Sequence, residues 1–271
     1  MKILADIGGT KTRIAGSSDL LGFGEPIIFP TPKDYNAAIK AIADAARQVS
    51  GDSGVDALQM GIRGTILSEQ GAIYDDVLSD WSERPLAHDL RVALSIPTVN
   101  MENDVATVAM GEAHFGAGKD ASIMVYITVS TGVNGCRVLD GRLDRRVQGF
   151  EIGGQYLNID PTITFEEMVS GSAVERQYKK HPRELGKDNE LWNELATLCA
   201  YGVHNTILHW SPERVVLGGS MFNEVGISVP KVAEEVKKIM KKFPEIPDIV
   251  HSSLGDFGGL WGALALLRQS S

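Results

Sequence analysis

The stretch Asp6-Ile7-Gly8-Gly9-Thr10-Lys11-Thr12, DIGGTKT, follows the mostly apolar run Met1–Ala5. Lys2–Ala5 reads as a buried strand, which makes DIGGTKT the turn at its carboxyl end. Gly8 and Gly9 allow positive φ and let a ligand approach with no Cβ in the way. Successive N–H groups in such a turn form a concave anion site. Thr10 and Thr12 add hydroxyl donors. Asp6, at the strand end, suits a hydrated Mg²⁺, an ion that keeps waters and takes few carboxylates. A plain hairpin turn whose aspartate is satisfied by backbone N–H groups accounts for the same residues.

A second stretch, Ser130 to Gly135 (STGVNG), has the same chemistry of hydroxyls and glycines between two strands. Two such turns could grip a nucleoside triphosphate from both sides. No GxxxxGK[ST] occurs, and neither turn fits GxGxxG entering a helix, so Walker and dinucleotide folds are disfavoured. A third cluster, VVLGGS at Val215–Ser220, runs a short apolar strand into Gly218-Gly219, where a flat adenine ring or ribose could lie. A tight strand-to-helix turn explains it equally well.

Composition narrows the class. The chain has 271 residues, 43% hydrophobic and 23% charged, which suits two domains with real cores. Its formal net charge of -9 argues against nucleic acid as a main partner. Cys136 and Cys199 fit no metal or redox pattern and read as buried free thiols of a reducing cytoplasm. No signal peptide and no membrane span are expected.

Along the chain, strands are expected at Thr12–Ala15, Leu20–Phe29, Val55–Met60, Thr98–Met101, Ser122–Thr128, Asn134–Leu139 and Arg214–Leu217. Helices are expected at Asp34–Val49, Pro85–Leu94, Asp104–His114, Phe165–Lys180, Asn189–Trp210, Pro230–Lys242 and Gly255–Arg268. Gly61–Trp81 reads as irregular. Gly116–Asp120 is a composition break, taken as the junction between domains 1–115 and 116–271. A glycine-rich turn follows a strand in each half, a weak internal duplication that suggests two related α/β domains around a cleft.

The acids gain meaning from order. MEND, Met101–Asp104, ends a strand and starts a helix. Asp104 is either the helix N-cap or a general base. Glu151 lies in FEIGG, and Glu166 lies four residues before Ser170-Gly171.

DIGGTKT, MEND, STGVNG, GFEIGG, the E-x-x-x-S-G spacing at Glu166–Gly171, VVLGGS and LGDFGGLWGAL come in one order over residues 2 to 268. This order resembles the ROK family of sugar kinases and sugar-responsive repressors. The resemblance implies an α/β, two-domain actin-like (ribonuclease-H-like) fold with a central cleft, the last helix packing back on the first domain. It implies ATP-dependent phosphorylation of a hexose or N-acetylhexosamine with Mg²⁺. By the same resemblance Asp104 is the catalytic base, and Asn103, Gly64, Glu151 and Glu166 bind sugar. Asp6, Gly8, Gly9, Thr10 and Lys11 form the first phosphate loop, and Ser130, Thr131 and Gly132 the second. Gly218 and Gly219 form the adenosine side.

Three departures from the family pattern stand out. Gly154 replaces a histidine that binds sugar and zinc. The segment Asp160–Glu167 lacks the zinc cysteines. Val77 stands where many members have an asparagine four residues before the tryptophan, here Trp81. Zinc is therefore not expected, and sugar selectivity is expected to shift. Asp6 is the sixth residue, so a kinase-type member without a DNA-binding head is expected. The resemblance also leaves room for a homodimer. Two other readings stay open: a sugar-binding regulator that has lost turnover, and an actin-fold ATPase acting on something other than sugar.

Overall fold

The computed structural model describes residues 1–67, 71–147, 149–159 and 162–270. Ser68–Gln70, within the Gly61–Trp81 segment, and Asp160 with Pro161, at the start of the zinc-motif segment, lie outside the described residues. The chain divides into two units, Met1–Gly111 with Asp256–Ser271, and Glu112–Gly255.

In the first unit β1 (Lys2–Ile7) is the central strand. Ile3, Leu4, Ala5 and Ile7 are fully buried, because both faces of the sheet are covered. β2 (Lys11–Ser17) and β3 (Ile27–Pro30) follow as an antiparallel meander. Helix α1 (Tyr35–Ser50) begins at Asp34, whose Oδ1 accepts the Ala37 N–H at 2.7 Å. It buries Tyr35, Ala38, Ile42, Ala45 and Ala46 along one stripe. β4 (Ala57–Ile62) pairs parallel to β1. A small hairpin, β5 (Thr65–Ile66) with β6 (Ile73–Tyr74), precedes α2 (Leu86–Leu94). β7 (Thr98–Asn103) pairs parallel to β4, and α3 (Asp104–Phe115) follows without a break.

The second unit repeats this plan. β8 (Ile123–Val129), β9 (Val133–Leu139) and β10 (Arg142–Leu143) form an antiparallel meander. Helices α4 (Phe165–Val169), α5 (Gly171–Tyr178) and α6 (Leu191–Trp210) come next. β11 (Arg214–Gly218) adds parallel to β8. After α7 (Val229–Ile239), β12 (Asp248–His251) adds parallel to β11. The sheet orders are β3-β2-β1-β4-β7 and β10-β9-β8-β11-β12, the same topology twice. In each unit the glycine-rich turn joins the first two strands of the meander.

Several expected elements differ. Leu20–Phe29 is not one strand. Leu20 takes φ 61°, and Ser17 Oγ accepts its N–H at 3.1 Å while donating to the Gly22 carbonyl at 2.6 Å. That side-chain turn delays β3 to Ile27. Phe165–Lys180 is two helices, because Ser170 is extended (φ -68°, ψ 157°) and its Oγ accepts the Ala173 N–H as a fresh N-cap. Gly218-Gly219 leads into a short π-type turn, Met221–Val225, rather than a regular helix.

The last helix, α8 (Gly258–Ser270), lies on the sheet of the first unit. Small residues let it come close. A Cβ on Gly259 would meet Asp6 Cγ at 2.5 Å, and one on Gly262 would overlap the Thr107 carbonyl oxygen of α3. Gly262→Ala is therefore expected to destabilise the first unit by about 1–3 kcal/mol through overpacking against backbone. A urea unfolding midpoint equal to wild type would contradict this packing.

Candidate active site

Parallel pairing brings the first group of expected site residues to one edge. Asp6 is in register with Gly61 and Gly61 with Glu102, while Ile7, Ile62 and Asn103 align one residue further on. The carboxyl ends of β1, β4 and β7 thus carry Asp6, Arg63-Gly64 and Asn103-Asp104 side by side. This is the edge where open α/β sheets bind ligands.

The turn Gly8-Gly9-Thr10 is closed by the Gly8 N–H donating to the Lys11 carbonyl at 3.0 Å. The Thr31 hydroxyl donates to the Gly8 carbonyl at 2.7 Å, and Lys33 Nζ donates to the Gly9 carbonyl at 2.8 Å. Thr10 and Lys11 are exposed. Thr12 is not available as an anion donor: strand alternation points it into the core with Ile14, and its hydroxyl shares a 2.9 Å hydrogen bond with Thr31. The room that glycine leaves at position 9 is also taken. A Cβ there would meet Arg63 Nη1 and Val77 Cγ1, each at 3.1 Å.

The helix start settles which residue of MEND caps. Asn103 Oδ1 accepts the N–H of Val105 at 3.0 Å and of Ala106 at 3.2 Å. Its Nδ2 donates to the Gly64 carbonyl at 3.3 Å, and Gly64 takes φ 97°. Asn103 is thus the N-cap, and Asp104 is the first helical residue. Asp104 Oδ1 accepts the adjoining Val105 N–H at 2.9 Å. Burial raises the Asp104 pKa above the ordinary aspartate value; the Val105 N–H and the Arg63 charge act against this. Burial also pushes the Asp6 carboxyl up to about 6, against the lowering effect of Arg13. Arg13 Nη1 donates to Asp6 Oδ2 at 3.1 Å.

The second group lies in the other unit. Register pairs Gly218 of β11 with Thr128 of β8, which sets Gly218-Gly219 beside the Ser130-Thr131-Gly132 turn. Gly219 takes φ 96°. A Cβ there would meet Thr128 Oγ1 at 2.6 Å. The turn is held from α4 and α5: Glu166 Oε2 accepts the Val133 N–H at 2.7 Å, and the Gly171 N–H donates to the Ser130 carbonyl at 2.7 Å. Glu166 is thus a brace of the second loop as well as an exposed carboxylate. Glu151 is exposed, and a Cβ added at Gly154 meets nothing within 4 Å.

Sequence reasoning missed Arg63 and Asp75. Arg63 Nε donates to Asp75 Oδ2 at 2.6 Å, and the buried Asp75 also accepts the N–H groups of Val77 and Leu78 through Oδ1. The available signal was an arginine directly before a glycine at a strand end.

Two duplicated sheets, each with a glycine-rich turn at its meander, define an actin-like α/β protein. The ROK family model matches residues 3–270, and the chain belongs to the ROK family. It is similar to the ROK hexokinase of Thermus thermophilus, with 26% identity, a TM-score of 0.84 and 99% of each chain covered. A ROK family glucokinase from Streptomyces griseus, solved with glucose and AMPPNP, is 23% identical with a TM-score of 0.83, again with 99% of each chain covered. Among curated proteins, the N-acetyl-D-glucosamine kinase of Haemophilus influenzae (strain 86-028NP) is 25% identical, over 96% of this chain and 97% of that protein. The fold is thus the two-domain actin-like fold of ROK sugar kinases. Among the described residues no helix is long and apolar enough to cross a membrane.

Two outcomes are expected. Asn103→Ala removes a cap and should lower stability by about 1 kcal/mol, whereas Asp104→Asn should leave the unfolding midpoint unchanged. The reverse pattern in thermal melts would return the cap to Asp104. Zinc is expected below one per chain, because Asp160–Glu167 carries no Cys or His. Elemental analysis showing one zinc per chain in metal-free buffer would contradict this.

Proposed function

We propose that the protein transfers the γ-phosphoryl group of ATP to a hydroxyl of a hexose or N-acetylhexosamine, with Asp104 as general base. The observation that carries this reading is the division of labour at MEND. Asn103 caps the helix, so Asp104 has no structural task there that explains its partly buried carboxylate. That carboxylate stands at the edge shared with Gly8-Gly9-Thr10.

A sugar hydroxyl is a poor nucleophile until a carboxylate in hydrogen-bond reach accepts its proton. Asp104 takes that proton as the sugar oxygen bonds to phosphorus. Burial raises its pKa above that of an ordinary aspartate, which strengthens it as a proton acceptor. Asn103 keeps a second Nδ2 hydrogen beyond the one given to Gly64, a donor suited to a sugar oxygen. Glu151 and Glu166 are assigned to sugar hydroxyls by the family pattern. In the same way Gly8, Gly9, Thr10 and Lys11 are assigned to the phosphates with Ser130, Thr131 and Gly132, and Gly218 with Gly219 to the adenosine. The relatives' names support this breadth of substrate, since they include a hexokinase, a glucokinase and an N-acetyl-D-glucosamine kinase.

Asp6 fits a hydrated Mg²⁺. Its carboxylate stands at the carboxyl end of β1, and the Arg13 contact engages only Oδ2. When bound, Mg²⁺ supplies charge neutralisation at the phosphate oxygens. The acidic chain, the neutral sugar and the buried thiols of Cys136 and Cys199 favour a cytoplasmic enzyme with no nucleic-acid partner.

Asp104→Asn keeps size and hydrogen-bonding shape but cannot take the proton. Its kcat is expected to fall by on the order of 10²-fold or more with ATP and sugar binding retained. The base acts deprotonated, so wild-type kcat/KM should rise with pH through a limb above the ordinary aspartate range. That limb should vanish in the variant. An unchanged rate at saturating substrate would remove Asp104 from the mechanism.

Gly154 generates a second outcome. Open volume discriminates weakly compared with a buried polar partner. Turnover of several hexoses or hexosamines is therefore expected in a substrate panel. Activity on glucose alone would contradict it.

A further inference from the structure

Arg63 is a partly buried cation at the edge that carries Asp6 and Asp104, and the base, the loop and the sugar residues do not account for its placement. Its N–H donates to the Ile7 carbonyl at 3.2 Å, which fixes its backbone against the end of β1. Its Nε is held by Asp75 at 2.6 Å, and Nη2 lies 3.5 Å from Asp76 Oδ1. Asp75 is itself locked, since Oδ1 accepts two backbone N–H groups and its own N–H donates to Ser82 Oγ at 3.1 Å. A planar guanidinium held at Nε by a locked carboxylate presents its other nitrogens in fixed directions. One of these, Nη1, lies over Gly9, and among the described residues no hydrogen bond takes it.

The surroundings call for such a group. Asp6, Asp75, Asp104 and Asp256 gather at this end of the unit, and Arg13 is committed to Asp6 and Asp256. A phosphoryl group brought beside Asp6 and Asp104 meets carboxylates of its own sign. Arg63 is only 27% exposed, so its charge is poorly screened by water.

We propose that Arg63 is a further catalytic residue, whose Nη1 donates to an equatorial oxygen of the phosphoryl group in flight, with Asp75 as its positioning residue. The proposal rests on the kinase reading above. In the step, the sugar O–H gives its proton to Asp104 as the sugar oxygen bonds to the γ-phosphorus. The bond from that phosphorus to the β–γ bridging oxygen breaks, and its electron pair leaves with ADP. Arg63 gives up no proton. It stabilises the charge spread over the equatorial oxygens, the role that preorganised donors play in loose phosphoryl transfer. Gly9 then has a second purpose: a side chain there would push the guanidinium off the loop.

The test uses the full chain, ATP and the sugar that wild type turns over fastest. Arg63→Lys keeps a cation for Asp75 but lacks the fork that places Nη1. Its kcat should fall by on the order of 10²-fold, the scale for losing one preorganised donor, with sugar KM within about twofold. Arg63→Ala should be inactive and regain turnover with millimolar guanidinium, which a purely structural role would not allow. Arg63→Lys at wild-type kcat overturns the proposal. So does a change confined to sugar KM, which would assign Arg63 to the acceptor instead. If Arg63→Ala does not fold, the kcat of Arg63→Lys alone decides. Wild type that phosphorylates no sugar would sink the kinase reading and this proposal with it, whereas an active wild type with an equally active Arg63→Lys sinks only the proposal.

Discussion

The side-chain amide of Asn103 satisfies three backbone groups at once, and the ligand edge of the first unit is organised around it. Its oxygen closes the start of α3 by accepting from Val105 and Ala106. Its nitrogen holds the Gly64 carbonyl at the end of the neighbouring strand. Asp104 is thereby fixed at the first turn of the helix without serving as its cap. Helix N-terminal N–H groups favour negative charge, which keeps a buried carboxylate ionisable. Burial pulls the other way, and the net result is a carboxylate with a raised pKa.

The duplicated topology explains why such a small set of residues suffices. Each unit begins with an antiparallel meander and then adds parallel strands on the side away from the turn's second strand. That order places one glycine-rich turn at the carboxyl edge of each sheet. The two turns are then supported differently. The first is held by Thr31 and Lys33. The second is held by Glu166 and the start of α5. A shared scaffold with different supports is what a diverged duplication produces.

Much of this was legible in the sequence because it depends on local chemistry. The buried strands, the amphipathic α1 with Asp34 as its cap and the two glycine-rich turns follow from periodicity and residue type. What was not legible depends on partners distant in sequence. Thr12 reads as a donor until β2's alternation and Thr31 turn it inward. MEND reads with Asp104 as the cap, whereas Asn103 caps and is held by the Gly64 carbonyl, 39 positions away. Arg63 has no local pattern at all; its direction comes from Asp75 across the small hairpin. β12 was missed because Asp248–His251 is short and only half-buried, and it exists through pairing with β11.

The central claim is phosphoryl transfer from ATP to a sugar. It is tested most directly by following ADP and sugar phosphate together, with the purified chain, ATP, Mg²⁺ and a panel of hexoses and N-acetylhexosamines. The account predicts sugar-dependent ADP formation with one sugar phosphate made per ADP. ADP release that does not depend on any sugar, or sugar binding with no turnover across the panel, would contradict it.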